Sequence, residues 1–191
     1  MIDTSKKFLV AGAGKSGIGS VNLLLKTGAD VSLYDGNEEL DKEALFEKLY
    51  EKKEISLVLG NITKEDIEKY DLLVLSPGIS VNAPIAQMFR DQEKPVWSEI
   101  ELAYQASKGR IAAITGTNGK TTTTALTGEI MKGYYESSFV VGNIGIPYTS
   151  VALDTKEDSV TTAEISSFQL ETIVDFKPDV CAVLNITPDH L

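Results

Sequence analysis

Two glycine-rich loops occupy the same point in two successive strand–loop–helix units, and this pairing restricts the fold more than any other feature of the chain. Phe8-Leu-Val-Ala11 is a short apolar run, Gly12-Ala-Gly-Lys-Ser-Gly17 follows it, and a helical pattern runs from Ser16 to Lys26. Much further along, the strand-like run Arg110 to Thr115 leads into Gly116-Thr-Asn-Gly-Lys-Thr-Thr122, and a helical pattern covers Lys120 to Lys132. A glycine loop between a buried strand and a helix N-terminus turns backbone N–H groups toward an anion, in the favourable field of the helix dipole. Such loops belong to parallel sheets covered by helices.

Further apolar runs bounded by turn residues support that class. Val31 to Tyr34, Ile55 to Leu59, Leu72 to Leu75 and Pro95 to Trp97 read as strands, with helices over Asp41 to Lys53, Pro84 to Arg90 and Glu99 to Ser107. Phe139 to Val141, Val160 to Ile165 and Val180 to Ile186 supply strands for the second unit. Gly109 is a helix stop, and the boundary is placed near Lys108. The expected fold is α/β. A Rossmann-like parallel-sheet domain occupies residues 1–107, and a P-loop α/β domain, truncated, occupies residues 108–191. A chain of 191 residues accommodates one to two domains.

The two loops imply different phosphate chemistry. Asp35 ends the second strand, eighteen residues after Gly17, which completes the dinucleotide fingerprint in its proper context. Gly14, Lys15, Ser16 and Gly17 are thereby candidates to hold a nucleotide diphosphate, and NAD, FAD and nucleotide sugars all satisfy the motif. In the second loop the backbone of Gly116, Thr117, Asn118, Gly119 and Thr122 would cradle phosphates. Lys120 would reach the β- and γ-phosphates of ATP, and the Thr121 hydroxyl could ligate Mg²⁺. The usual eight-residue pattern would begin with glycine at position 114, where this chain has Ile114. One nucleotide site for a substrate handle and another for ATP together suggest an ATP-driven reaction on a nucleotide-linked substrate.

Four polar clusters follow strands, where open α/β sheets bind ligands. They are Ser76-Pro-Gly-Ile79, Gly142-Asn-Ile-Gly145, Glu164-Ile-Ser-Ser-Phe-Gln169 and Asn185-Ile-Thr-Pro-Asp-His190. Glu164 is the type of strand-end acid that ligates Mg²⁺ near a P-loop, and His190 is the chain's single histidine. With 18 basic and 28 acidic side chains, a net charge of −10 argues against a nucleic acid or an anionic membrane as partner. No apolar run approaches the roughly 18 residues of a membrane span. The N-terminus lacks the anatomy of a signal peptide. A cytoplasmic location is expected. The one cysteine, Cys181, lies in the apolar run Val180-Cys-Ala-Val-Leu184 and is expected to be a buried packing residue.

These motifs resemble the Mur ligases of bacterial peptidoglycan synthesis, over the whole chain. The P-loop form is shared with folylpolyglutamate synthetases, whereas Gly142-Asn-Ile-Gly145 and Ser166-Ser-Phe-Gln-Leu-Glu171 resemble the D-glutamate-adding branch. The resemblance implies a first domain that binds the UDP of UDP-N-acetylmuramoyl-L-alanine through Lys15, Ser16, Asp35, Gly36 and Gly78. It implies a central domain that binds ATP through Lys120 and Thr121. Glu164 and His190 would hold a second Mg²⁺, and Asn143, Ser166 and Gln169 would meet the muramoyl-alanine part. The implied reaction makes an acyl phosphate from ATP, which the amine of D-glutamate then attacks. The full-length enzyme would be a monomer. The family pattern continues past Leu191, so the chain is expected to be a non-ligating fragment. The competing readings are a folylpolyglutamate-type ligase, an NAD-binding oxidoreductase and a non-catalytic nucleotide-binding module.

Overall fold

The computed structural model describes residues 2–143 and 145–188. Its first sheet holds β1 (Lys7–Ala11), β2 (Asp30–Asp35), β3 (Ser56–Leu59), β4 (Leu72–Leu75) and β5 (Val96–Ser98). All pairs are parallel, in the order β3-β2-β1-β4-β5. The helices of this unit are α1 (Lys15–Thr27), α2 (Lys42–Phe46), α3 (Lys64–Ile67), α4 (Pro84–Asp91) and α5 (Glu99–Ala106). The second sheet, in the order β7-β8-β6-β9, is built from β6 (Arg110–Thr115), β7 (Ser138–Gly142), β8 (Val160–Glu164) and β9 (Val180–Val183). It too is parallel, and it carries α6 (Lys120–Lys132) and α7 (Ser167–Leu170).

Central parallel strands are covered on both faces, which is why β4 reads Leu-Leu-Val-Leu with every position buried. One apolar cluster runs through both sheets. Phe8, Val10 and Leu24 of the first unit join Ile111, Val141 and Ala163 of the second, with Ile100, Leu102 and Tyr148 between them. A second cluster on the other face of the first sheet gathers Leu9, Leu73, Leu75, Ile85 and Phe89. Helix α1 ends at Gly28, whose left-handed φ of 81° lets its N–H reach Leu25 O at 3.0 Å while Ala29 N–H reaches Leu24 O.

Several elements differ from the sequence reading. The helix expected over Asp41 to Lys53 stops at Phe46, and a 3₁₀ turn at Tyr50–Lys52 follows. Asn22 of α1 is the reason: its amide donates to Lys48 O and its oxygen accepts from Tyr50 N–H at 2.7 Å, which draws the chain out of helical register. Helices α3 and α7 are too short for a periodic signal, and each is started by a local capping box, Thr63 with Asp66 and Ser166 with Gln169. Cys181 is exposed, not buried. Strand β9 pairs only with β6 at the sheet edge, and all four of its residues are exposed, so its apolar side chains have no covering layer among the described residues.

Helix α1 sits close against its own loop because Gly17 has no side chain. A Cβ there would overlap the Gly12 carbonyl oxygen. Inside a helix, glycine to alanine ordinarily stabilises by about 0.5–1 kcal/mol. Gly17→Ala is expected to do the reverse and destabilise by about 2 kcal/mol, as overpacking against an immovable backbone does, and urea unfolding of the two proteins will measure it.

Candidate functional site

The second glycine loop is shaped by two residues in left-handed backbone conformations, Gly116 at φ 137° and Gly119 at φ 85°, and Gly119 caps α6. The segment after β9 holds it in place. Asn185 accepts from Asn118 N–H at 2.8 Å and donates to Asn118 O at 2.9 Å, while Thr117 N–H donates to Asn185 O at 3.0 Å. Thr117 and Thr187 exchange two further hydrogen bonds. The Lys120 ammonium folds over the loop and donates to Gly116 O at 2.7 Å and Thr117 O at 3.0 Å. The loop therefore carries a fixed cation at its mouth, and Thr121 and Thr122 form the first turn of α6.

A cleft of about 730 Å³ opens beside this loop. It is lined by Gly116, Thr117 and Lys120, by Asn143 after β7, by Ser166 at the start of α7 and by Asn185. Pro77, which follows β4, lines it from the first unit. The C-terminal ends of strands from both sheets thus converge on one cleft. Gly142 permits the close packing of β7's end on β8, because a Cβ there would overlap the Glu164 carbonyl oxygen, the same atom that accepts from Asn143 N–H at 3.0 Å.

Glu164 ends β8 beside Ile114, on the strand that feeds the loop. It is 2% exposed, and its Oε1 finds no hydrogen-bond partner among the described residues. A buried carboxylate oxygen left unpaired is costly, and a cation is one chemical means of satisfying it. Glu164 at the end of β8 and Thr121 in the first turn of α6 are oxygen donors of the type a divalent cation takes. His190, the third expected ligand, lies outside the described residues, and among those described no group of three or more His, Cys, Asp or Glu side chains gathers.

The first loop is built differently. Gly12 N–H donates to Tyr34 O at 2.7 Å, and Ala13 N–H donates to Asp35 Oδ2 at 2.8 Å. Asn37 N–H occupies Oδ1 of the same carboxylate. Asp35 thus fastens the glycine loop to the end of β2. Gly14 caps α1, Lys15 and Ser16 occupy its first turn, and Gly36 and Gly78 are exposed after β2 and β4. These residues share the C-terminal edge of the first sheet, and none of them lines the 730 Å³ cleft.

Gln169 is buried and structurally occupied. Its Oε1 accepts from the N–H of Ser166 at 2.8 Å and from the Ser166 hydroxyl at 3.0 Å, and its amide donates to Glu99 Oε1 at 2.7 Å. Sequence reasoning missed both Glu99 and Glu101. Glutamates in the first turn of a helix ordinarily face solvent, yet these are 1% and 0% exposed. The only local signal was Ser98, which caps α5 by accepting from Glu101 N–H. Burial pushes the Glu99 carboxyl up to about 7, with the Gln169 hydrogen bond pulling the other way.

The family model for the Mur ligase MurD-like N-terminal domain matches residues 6–98, and that for the Mur ligase middle domain matches residues 114–191. The chain belongs to the Mur ligase family. Among Mur ligases it is 56% identical over 186 residues to the UDP-N-acetylmuramoylalanine--D-glutamate ligase of Lachnoclostridium phytofermentans, covering 97% of this chain and 41% of that protein. It is 57% identical over 187 residues to the enzyme of the same name from Lachnospira eligens, covering 98% and 41%. The chain therefore spans about two-fifths of the length of these curated relatives, 41% in each case. Two solved Mur ligase structures share the fold. UDP-N-acetylmuramate:L-alanyl-gamma-D-glutamyl-meso-diaminopimelate ligase from Neisseria meningitides superposes with a TM-score of 0.56 at 17% identity, covering 97% of this chain and 62% of that one. The UDP-N-acetylmuramate-alanine ligase MurC of Thermotoga maritima gives 0.54 at 22%, covering 97% and 42%.

Because the native Glu99 holds its proton more tightly than the unfolded chain, whose value is near 4.5, its contribution to stability is full below pH 4.5 and is lost as pH rises through 7. A shift of this size is worth about 3 kcal/mol. Thermal unfolding of Glu99→Gln is expected to lose the part of the stability decline between pH 4.5 and 7 that wild type shows; identical profiles would refute the assignment.

Proposed function

We propose that this chain supplies the substrate-binding and ATP-binding parts of a ligase that joins D-glutamate to UDP-N-acetylmuramoyl-L-alanine. The observation that carries the proposal is the meeting, in one cleft, of the Lys120 loop with Asn143 and Ser166 and with Pro77 of the first unit. A ligase of this kind must bring a nucleotide-linked carboxylate to the γ-phosphate of ATP, and a cleft between a P-loop and a second nucleotide-binding unit suits that need. On this reading residues 1–107 grip the UDP handle with Lys15, Ser16, Asp35, Gly36 and Gly78, and residues 108–191 grip ATP. The identity to the two D-glutamate ligases, and the resemblance of Gly142-Asn-Ile-Gly145 and Ser166-Ser-Phe-Gln-Leu-Glu171 to the D-glutamate-adding branch, favour this substrate over other acids. The chemistry would draw on the cytoplasmic pool of nucleotide-linked precursors.

In the proposed reaction the alanyl carboxylate of the substrate attacks the γ-phosphorus of ATP. An acyl phosphate forms and ADP leaves. The amine of D-glutamate then adds to the acyl carbon, phosphate departs and an amide remains. The first step gathers anions, so the residues that matter are those that offset repulsion and hold the reactants in line. Lys120 does this with a fixed positive charge, once it exchanges the Gly116 and Thr117 carbonyls for phosphate oxygens. The backbone N–H groups at the start of α6 add the helix dipole. Mg²⁺, when bound, would screen phosphate charge, held by Thr121 and Glu164 with His190 as a further candidate. Asn143 and Ser166 would orient the muramoyl-alanine part.

An NAD enzyme would leave the Lys120 loop without a task. Asp35 accepts one N–H on each carboxylate oxygen, from Ala13 and from Asn37, and each oxygen keeps a lone pair for the UDP handle.

Calorimetry with the purified chain is expected to show UDP-N-acetylmuramoyl-L-alanine binding more tightly than NAD; the opposite order would refute the proposal. Lys120→Ala should weaken ATP binding about tenfold or more, since a charge-assisted hydrogen bond to phosphate is lost, and leave the UDP-linked ligand within about twofold of wild type. Undiminished ATP affinity would remove Lys120 from the phosphate site.

A further inference from the structure

Helix α5 belongs to the first unit, yet its buried Glu99 reaches beneath the cleft of the second. The connection is continuous. Glu99 Oε1 accepts from the Gln169 amide at 2.7 Å, Gln169 Oε1 accepts from the N–H and the hydroxyl of Ser166, and Ser166 lines the cleft. Gln169 N–H in turn donates to the Ser166 hydroxyl oxygen at 3.4 Å.

A glutamine amide has two ends and can be turned either way round. One orientation places its oxygen toward Ser166 and its NH₂ toward Glu99. The other would set NH₂ against the Ser166 N–H and oxygen against oxygen. The Ser166 N–H needs an acceptor and so takes the Gln169 oxygen, and Glu99 Oε1 supplies the acceptor that the NH₂ then needs, in the neutral carboxyl as well when its proton sits on Oε2. A hydroxyl has one proton and two lone pairs. With its proton committed to Gln169 Oε1 and one lone pair to Gln169 N–H, Ser166 retains acceptor capacity only.

We propose that Glu99 is a positioning residue for the cleft, acting through Gln169 so that Ser166 meets the bound substrate as a hydrogen-bond acceptor for an N–H or O–H of that ligand. The proposal rests on the reading of the cleft as the site of the UDP-linked substrate. An apolar pillar at position 99 would support α7 as well but would leave the Gln169 NH₂ without its acceptor, so that only the Ser166 donors hold the amide in place. The orienting role and a merely structural one are therefore separable by substitution.

Glu99→Met keeps length and removes the acceptor, and Glu99→Gln keeps an oxygen that can face the Gln169 amide. In calorimetry on the purified chain, Glu99→Met is expected to weaken UDP-N-acetylmuramoyl-L-alanine about tenfold, as loss of one oriented hydrogen bond does. ATP should stay within twofold, and Glu99→Gln within twofold for both ligands. Equal weakening of both ligands by Glu99→Met, or no weakening, would overturn the proposal. Should the wild-type chain bind no UDP-linked ligand, the functional reading fails, and the positioning role is then judged by NMR. The Gln169 side-chain amide is expected to exchange slowly with solvent in wild type. The Ser166 backbone amide resonance is expected to move in Glu99→Met and to stay in Glu99→Gln. Rapid exchange in wild type, or an unmoved Ser166 resonance in Glu99→Met, would overturn the positioning role independently of any ligand, and the wild-type measurement does so independently of how well the variant folds.

Discussion

Two buried carboxylates on α5 join the sheets, and the cleft depends on them. Moving a carboxylate out of water costs several kcal/mol unless hydrogen bonds replace the solvent. Glu101 is fully compensated: it accepts from the N–H groups of Val174, Asp175 and Phe176 and from the side chain of Gln105. Three consecutive backbone donors of the second unit are thus pinned to a helix of the first. Glu99, two residues earlier, has the one partner Gln169, and its second oxygen has none among the described residues. Its carboxyl accordingly favours the neutral form, whereas Glu101 serves as an acceptor for a whole turn of chain. The segment from α7 to Phe176 is held by this pair, and Ser166 is at its leading end.

Close backbone approach is the second constraint, and glycine provides it at each junction. Gly17 lets α1 rest on the loop that precedes it, and Gly19, two residues on, lets the same helix approach Thr149 of the second unit. Gly142 does the same where β7 meets β8. Tyr148 fills the space between the units, fully buried, with its hydroxyl donating to Ser107 at 2.8 Å. The strand ends of the two sheets converge because the chain can approach itself at these points. The same geometry carries the proposed chemistry, which needs two phosphate-binding units within reach of one carboxylate.

Much of this was legible in the sequence. Uninterrupted apolar runs such as Leu72 to Leu75 mark strands buried on both faces, and glycine loops between such runs and helical patterns mark anion cradles. These signals are local, set by side-chain period and backbone permissiveness. They placed the strands to within a residue or two, with β9 the exception: its pairing ends at Val183, although the apolar run continues to Ile186. They also placed Asn143 and Ser166 in polar clusters at strand ends, and the structure lines one cleft with these two and Lys120. The long helix read over Asp41 to Lys53 failed because its end is dictated by Asn22, nearly thirty residues away in the chain. Cys181 misled because an apolar strand reads the same at a sheet's centre as at its edge.

Local chemistry by itself determined the α/β class, the two glycine loops and the acid at the end of β8, since each is encoded within a dozen adjacent residues. Only the tertiary structure decided that Asp35 fastens its own loop, that Gln169 bridges to another helix, and that two glutamates in a helix's first turn lie at 1% exposure or less. Each of these outcomes depends on the burial of one group and the presence of a hydrogen-bond partner about 20 to 75 positions distant. Side-chain periodicity carries no information over such separations, because it reports which face of an element is apolar and not what that face will meet.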